Sequence, residues 1–347
     1  MKKIALITGI AGQDGTYLAE QLQPLNYSIV GTVRRLTPEV RHLIDSIDSE
    51  IELLETPELS PEVTQEIIRR YEPDELFNLA GQSSVGRSWR ETTETLIING
   101  QSVVLWLEAI RRYHPRTKFV QASSSEIFGL GSDHALSETS PMAPINPYGL
   151  AKSMAHQVVG KYREWFGLFL CNAIMFNHES PRRSTSFVSR KITMCVARIA
   201  LGLQEQLPLG NLDVVRDWGF AGDYVGAIWK MLQIQNPEDL VIGSGRAYSL
   251  RDFVQTAFEA IGKDWRQHVV QDPELFRPAD VVRVQANPAK AKAVLDWRPT
   301  VNFRDLVRMM VEHDMQLAAM ESRDSSFSGE EPAHAAKISP TREGKAQ

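Results

Sequence analysis

Gly9, Gly12 and Gly15 fall in the spacing Gly-x-x-Gly-x-x-Gly between an apolar run, Ile4 to Thr8, and a helical pattern that opens at Gly15. Glycine lets a backbone turn tightly and approach a pyrophosphate, and the helix that follows offers free N–H donors and a partial positive charge. In this strand-to-helix setting the motif predicts dinucleotide binding rather than a merely structural turn. The residues expected to contribute are Gly9, Ile10, Ala11, Gly12, Gln13, Asp14 and Gly15.

The rest of the chain keeps the rhythm that such a start implies. Apolar, β-rich runs recur at Ser28 to Val33, Glu75 to Leu79, Lys118 to Ala122 and Leu170 to Phe176, separated by helical patterns at Gly15 to Gln23, Pro61 to Tyr71, Thr92 to Tyr113 and Tyr148 to Phe166. Parallel strands require such crossovers, and their fixed handedness predicts an α/β doubly wound parallel sheet. After Phe176 a polar loop, Asn177 to Ser186, leads into helical patterns at Phe187 to Leu201, Asp223 to Gln233, Leu250 to Ile261, Pro288 to Leu295 and Arg304 to Met320, the expected substrate lobe. The division this predicts is residues 1–176 with roughly 212–250 for the cofactor domain, and 177–211 with roughly 251–320 for the smaller lobe. Residues 321–347, rich in Ser, Glu, Lys, Ala and Pro, are expected to form a mobile tail.

Composition narrows function mainly by exclusion. A formal net charge of -5 gives no global positive field for nucleic acid or an anionic membrane, so any anionic ligand must be met by local clusters. Cys171 and Cys195 lack metal-ligand spacing and cannot form a disulfide framework, which points to a reduced compartment and to no metal site. Met1-Lys2-Lys3 before an apolar run superficially resembles a signal peptide, but Gln13 and Asp14 interrupt it and a buried first strand explains it better. No stretch reaches the ~18 apolar residues of a membrane span, and the expected location is cytoplasmic.

Two further clusters carry chemistry. About twenty residues after the last glycine, where an NAD enzyme carries an acidic residue for the ribose, this chain has Val33-Arg34-Arg35. Guanidinium groups there suit a 2′-phosphate and favour NADP over NAD; the alternative is a solvated basic pair at a strand end. Tyr148 and Lys152 form Tyr-x-x-x-Lys at the start of a helix, behind Pro147. Four helical positions advance ~6 Å, about one turn, so Lys152 is expected to lie beside Tyr148 and lower its phenol pKa, giving a base for a hydroxyl. Upstream runs Ala122-Ser123-Ser124-Ser125-Glu126, where an extended chain would point Ser124 and Glu126 to one face. A polar strand end satisfying its own turn is the alternative there.

Together these motifs resemble the extended short-chain dehydrogenase/reductase superfamily, with its Rossmann-type sheet and smaller C-terminal substrate-binding lobe. Longer stretches are similar to the GDP-mannose 4,6-dehydratases: Thr8 to Gly15, Asn78-Leu79-Ala80-Gly81-Gln82-Ser83, Phe176-Asn177-His178-Glu179-Ser180-Pro181-Arg182-Arg183, Leu209 to Asp213, Arg216 to Gly219 and Phe276-Arg277-Pro278. The resemblance runs from Lys3 to Ala318, and the Asn-His-Glu-Ser-Pro stretch is its most specific part. It implies Ser124, in a place usually held by threonine, with Glu126, Tyr148 and Lys152 as the catalytic set. It implies NADP contacts from Arg34, Arg35, Leu79, Ala80, Gly81, Gln82, Ser83, Lys152, His178 and Arg183, and contacts to the substrate nucleotide from Asn177, Lys191, Arg216 and Arg277. Read on its own, Lys191 is a solvated helix charge and Arg277 a loop charge.

The reaction implied is oxidation of a GDP-linked hexose at C4, loss of water across C5 and C6, and return of hydride to C6, in a homodimer or homotetramer. Two departures stand out: Glu55-Thr56-Pro57-Glu58 replaces the family's Asp-Leu or Asp-Met pair near the adenine, and Ser184 replaces a glycine after Arg182-Arg183. The competing readings are a nucleotide-sugar 4-ketoreductase or epimerase, which would not need Glu126, and a noncatalytic NADP-responsive binding protein.

Overall fold

The computed structural model describes residues 2–131, 133–275 and 283–328. The first part contains β1 (Lys3–Thr8), α1 (Gln13–Leu22), β2 (Tyr27–Val33), α2 (Pro38–Asp45), β3 (Glu52–Glu55), α3 (Pro61–Tyr71), β4 (Glu75–Asn78), α4 (Val85–Arg90), α5 (Thr92–Leu96), α6 (Ser102–Tyr113), β5 (Lys118–Ser124), α7 (Pro147–Phe166) and β6 (Leu170–Met175). There follow β7 (Asn177–Glu179), α8 (Val188–Ala200), β8 (Leu207–Leu209), β9 (Val215–Phe220), α9 (Ala221–Met231), β10 (Leu240–Ile242), β11 (Ala247–Ser249), α10 (Leu250–Glu259), β12 (Val269–Gln271), β13 (Arg283–Val284), α11 (Ala289–Leu295) and α12 (Phe303–Ser328).

The large sheet has seven strands in the order β10-β6-β5-β4-β1-β2-β3, every neighbouring pair parallel. Strand alternation sorts its side chains onto two covered faces. Ala5, Ile7, Phe77 and Val120 pack with Leu18 and Leu22 of α1 and Ile228 of α9. Leu6, Leu76 and Phe119 pack on the opposite side with Ile68 of α3, Trp106 and Ile110 of α6, and Val159 of α7. This is the doubly wound arrangement that the alternating pattern predicts. The strand order reverses at β1, between β2 and β4, and the carboxyl ends of strands at such a switch point are where ligands bind.

β9 centres a smaller sheet, pairing antiparallel with β11 and parallel with β13 and β7. A separate core containing Ile192, Val196, Phe253, Leu306 and Met310 joins α8, α10 and α12 beside it. Within residues 212–250 membership alternates: β9 and β11 belong to the small sheet, whereas β10 closes one edge of the large one. Only Phe176 separates β6 from β7, so one continuous segment passes from the large sheet to the small one.

Three local features differ from the sequence expectation. The single helix expected from Thr92 to Tyr113 is broken by a π-helical turn, Ile97–Gln101, which turns Asn99 and Gly100 into the interior. Periodicity averages over such an insertion and misses it. The chain curls into a 3-10 turn at Ser125–Phe128 instead of staying extended beyond Ser124. α12 continues to Ser328, past the expected end at Met320, while residues 329–347 of the expected tail and the Phe276-Arg277-Pro278 stretch lie outside the described residues. Among the described residues no helix is long and apolar enough to cross a membrane.

Candidate active site

The turn between β1 and α1 needs its glycines for space. Gly9 has φ +68°, and a Cβ there would come within 2.9 Å of the Ala80 Cα. A Cβ on Gly15 would lie 2.6 Å from the Gly9 carbonyl oxygen. Gly9 and Ile10 N–H groups donate to the Thr32 carbonyl at 3.0 and 3.3 Å, pinning the turn to β2. Gly12 caps α1 with no side-chain acceptor, so no side chain of the cap competes for the donors at the helix start.

Beside it, buried polar groups tie three strand ends together. Ala80 N–H donates to Thr8 Oγ1 (3.0 Å), Thr8 Oγ1 to Asn78 Oδ1 (2.7 Å), Asn78 Nδ2 to Gln121 Oε1 (2.7 Å) and Gln121 Nε2 to the Ala122 carbonyl (3.0 Å). Asn99, delivered by the π-helical turn, brackets the backbone of Gln82, accepting from its N–H at 3.0 Å and donating to its carbonyl at 2.8 Å. Each of these groups is satisfied inside the protein, so the loop after β4 is held rigidly.

A cavity of about 460 Å³ opens over these strand ends. Of the expected cofactor residues, Gly9, Gly12, Gln13, Asp14, Gly15, Leu79, Gly81, Ser83, Lys152, His178 and Arg183 line it. Ile10, Ala11, Ala80 and Gln82 do not. Ile10 is buried against Gly31, whose missing Cβ makes room for it, and the Gln82 side chain donates to the Ser84 carbonyl and Thr95. Arg34 and Arg35 are exposed at the end of β2 and also lie outside this lining; Arg34 Nη1 is 3.3 Å from Glu94 Oε1. Close by, in the altered Glu55 to Glu58 segment, Thr56 N–H donates to the Val33 carbonyl at 2.8 Å.

Ser124, Glu126, Tyr148 and Lys152 meet in the same cavity. Asn146 organises them: its Oδ1 accepts from Gly149 N–H at 2.8 Å, capping α7, while its Nδ2 donates to Glu126 Oε2 at 2.8 Å. The sequence expectation starts this helix at Tyr148 behind Pro147 and gives Asn146 neither contact. The expected extended segment is corrected here, since Ser124 Oγ accepts from Glu126 N–H at 3.2 Å and caps the 3-10 turn. Serine at a strand end favours this local bond over continuing the ladder. The turn, not strand alternation, brings Glu126 into the cavity.

The expected effect of Lys152 on Tyr148 is also corrected. Burial pushes the Tyr148 phenol up to about 12, with the Ser124 hydroxyl opposing and Glu126 adding to the rise. Burial likewise brings Lys152 down to about 8. Its Nζ donates to the Ala122 carbonyl at 2.9 Å and stands 5.9 Å from the centre of the tyrosine ring. One helical turn of spacing places the two residues together, but desolvation outweighs their attraction.

From the other side β7 presents Asn177, His178 and Glu179. His178 Nδ1 donates to the Phe176 carbonyl at 2.8 Å and Nε2 faces Asp14 Oδ2 at 3.0 Å, so both ring nitrogens act as donors. Burial pushes the imidazole down, but the Asp14 carboxylate more than offsets it and raises its pKa; His178 in turn outweighs burial at Asp14 and lowers the carboxyl. This ion pair, with Gln13 Nε2 donating to the His178 carbonyl at 3.1 Å, joins the start of α1 to the small sheet.

Arg183 stacks on Phe187 at 3.6 Å and approaches Glu179 Oε2 at 3.1 Å. Beneath it, buried Arg190 donates to the Pro181 carbonyl, to the Arg183 carbonyl at 3.0 Å and to Asp314 of α12 at 2.8 Å. Sequence spacing carries no signal for these partners, because Arg190 and Asp314 meet across most of the lobe. Ser184 Oγ lies 2.9 Å from Ser186 Oγ, and its carbonyl accepts from Phe187 N–H at 3.1 Å, turning the loop into α8.

Asn177, Lys191 and Arg216 line the cavity's far end with Gly210 and Asn211. Lys191 Nζ donates to the Pro208 carbonyl at 2.7 Å rather than standing as a solvated helix charge. Arg277 lies outside the described residues.

A family model described as GDP-mannose 4,6 dehydratase matches residues 6–310. GDP-mannose 4,6 dehydratase 2 of Arabidopsis thaliana is 43% identical over 335 residues, covering 92% of this chain and 89% of that protein. The GDP-mannose 4,6 dehydratase of Homo sapiens is 41% identical over 343 residues, covering 91% of this chain and 92% of that protein. Among solved structures, dTDP-glucose 4,6-dehydratase from Bacillus anthracis in complex with NAD shares the fold, with a TM-score of 0.78 and 22% identity over 94% of this chain and 98% of that one.

Proposed function

The chain belongs to the GDP-mannose 4,6-dehydratase family, and from that premise we propose that it converts GDP-mannose to GDP-4-keto-6-deoxymannose with NADP recycled in each turnover. It is an enzyme of nucleotide-sugar 4,6-dehydration, a hydro-lyase that works with a nicotinamide dinucleotide. The observation that carries the reading is the convergence, in one cavity, of the glycine turn with Ser124, Glu126, Tyr148 and Lys152 and with the cations Lys191 and Arg216.

The residues fit a dinucleotide. Gly9 and Gly15 leave no room for a Cβ, and the start of α1 faces the same cavity as Leu79, Gly81, Ser83, His178 and Arg183. When bound, the nicotinamide supplies the hydride acceptor for C4 and the hydride returned to C6. Tyr148 takes the proton of the 4-hydroxyl, with the Ser124 hydroxyl opposing the rise that burial gives its phenol. Lys152, one turn along the helix, donates its ammonium to the Ala122 carbonyl and so holds the end of β5 beside the phenol. The ketone at C4 acidifies C5, whose proton Glu126 removes from the orientation set by Asn146, helping water leave from C6. Asn177, Lys191 and Arg216 hold the nucleotide, a role the family resemblance also gives to Arg277, which lies outside the described residues.

Mass spectrometry of the purified protein with GDP-mannose and NADP is expected to show loss of one water. An unchanged sugar nucleotide defeats this substrate assignment; a gain of two hydrogens, or a stereoisomer of equal mass, would favour the ketoreductase or epimerase. Glu126 in its oriented position is what supports dehydration over those readings.

The preference for NADP rests on Arg34, whose partner among the described residues is the half-buried Glu94. Arg34→Ala is expected to weaken NADP binding at least ~10-fold, the worth of a charge-assisted hydrogen bond, and to leave NAD almost untouched. Equal losses by calorimetry remove the basis for that preference. We place the enzyme in the cytoplasm as a homodimer or homotetramer; exposed Trp89, Ile97, Leu150 and Met154 on neighbouring elements support association.

A further inference from the structure

Trp218 lines two cavities, the one described above and a second of about 270 Å³. Tyr248 and Phe303 form the apolar wall of the second, stacked face to face with ring centres 4.0 Å apart and planes within 7°. Three cations line it from separate places in the chain: Arg246 just before β11, Lys292 on α11, and Arg298 in the segment between α11 and α12. No carboxylate is among the residues lining it.

The carboxylates that build its walls are already engaged. Asp217 accepts from Ser244 N–H at 2.9 Å, Ser244 Oγ at 2.6 Å and Gly245 N–H at 2.8 Å, shaping the turn that carries Arg246. Asp223 accepts from Thr300 N–H at 2.8 Å, the Thr300 hydroxyl at 2.6 Å and Val301 N–H at 3.0 Å, fixing the segment after Arg298. Other cations of the lobe have acidic partners, Arg251 with Asp213 and Lys290 with Glu238, each at 2.7 Å. Arg246, Lys292 and Arg298 have none among the described residues.

We propose that this cleft is a second ligand site, for the phosphate group of a small metabolite, and that its occupation is felt at Arg216. Two guanidinium forks and an ammonium in one concavity without a carboxylate match a multiply charged oxyanion. The volume falls below the ~300–1,000 Å³ of drug-sized pockets, which selects a small molecule. The route to Arg216 is short: Arg216 and Trp218 project to the same face of β9, and β9 pairs with β11 in the register Arg216 to Tyr248. This second half of the proposal rests on the substrate role given to Arg216 above; the binding half does not.

The test is calorimetric titration with inorganic phosphate at constant ionic strength, balanced with chloride, with NADP and GDP present in excess to fill the first cavity. Saturable binding is expected, weakened about two- to fivefold by each of Arg246→Gln, Lys292→Gln and Arg298→Gln, as for exposed ion pairs, and abolished in the triple variant. These side chains are exposed, so the variants should unfold at the parental temperature. Absence of saturable binding in the parent, or undiminished binding in the triple variant, overturns the site. In steady-state assays, saturating phosphate is expected to shift KM for GDP-mannose about fivefold or more in the parent and not in the triple variant; a KM that ignores phosphate overturns the coupling. Failure of GDP-mannose to react at all would instead count against the proposed substrate, and the phosphate titration would still decide the site.

Discussion

Glu126→Gln is expected to give a protein that oxidises its sugar and then stalls. The amide keeps the size of the side chain and a partner for Asn146 Nδ2, which reaches the Glu126 carboxylate at 2.8 Å, so the turn at Ser125–Phe128 should stand. What disappears is the base. NADPH absorbance should appear on mixing with GDP-mannose, because the proposed mechanism gives proton removal at the 4-hydroxyl to Tyr148, while deuterium uptake from solvent at C5 and loss of water both collapse. General base catalysis is worth ~10²–10⁴-fold, so dehydration should fall by at least the lower figure. Dehydration near the parental rate would make Glu126 a polar strand end and move the ketoreductase or epimerase reading ahead.

That prediction draws on both what was legible in the sequence and what was not. The large sheet could be read because its strands are buried on both faces and appear as short apolar runs, and because a glycine turn between strand and helix has few other uses. β3, with its half-exposed Leu53 and Leu54 between two glutamates, has no such run and is not among the strands the sequence predicts. Tyr148 and Lys152 could be found from one helical turn of spacing. Their ionisation could not, since desolvation depends on everything packed around them. Asn99, Asn146 and the Arg190–Asp314 pair act through partners that no local window contains, and the Ser124–Glu126 geometry turned on whether a strand continued or curled.

Arg190→Met is expected to be among the most destabilising single changes in the substrate lobe. Arg190 and Asp314 are both buried, their closest atoms 2.6 Å apart, and Thr193 Oγ1 also donates to Asp314 at 2.6 Å. Removing the guanidinium leaves a carboxylate in a dry site with one neutral donor, a change that typically costs 3–5 kcal/mol, about the whole margin of a modest domain. Denaturant unfolding should register the loss directly. Arg190→Met with Asp314→Leu should recover most of that stability, because a well-packed apolar pair replaces buried charges at little net cost. Cofactor affinity should stay low in the double variant, since the carbonyls of Pro181 and Arg183 have lost their donor and the loop bearing Arg183 is untied. Parental NADP affinity in the stable double variant would show that Arg190 serves the fold alone.

The same contact sets the order in which a newly made chain can become competent. Every strand of the large sheet has left the ribosome once Ile242 has emerged, and domains commonly fold as units while synthesis continues. Asp314 emerges only after another 72 residues, the difference between the two positions. During that interval the glycine turn can form while the Pro181 to Arg183 loop still lacks its anchor, so under the proposed assignment the nascent enzyme passes through a stage with half a cofactor site. Anchoring of that loop is thereby tied to translation of α12, and a chain released before Asp314 would be folded in its sheet yet lack the tie between Arg190 and the carbonyls of Pro181 and Arg183.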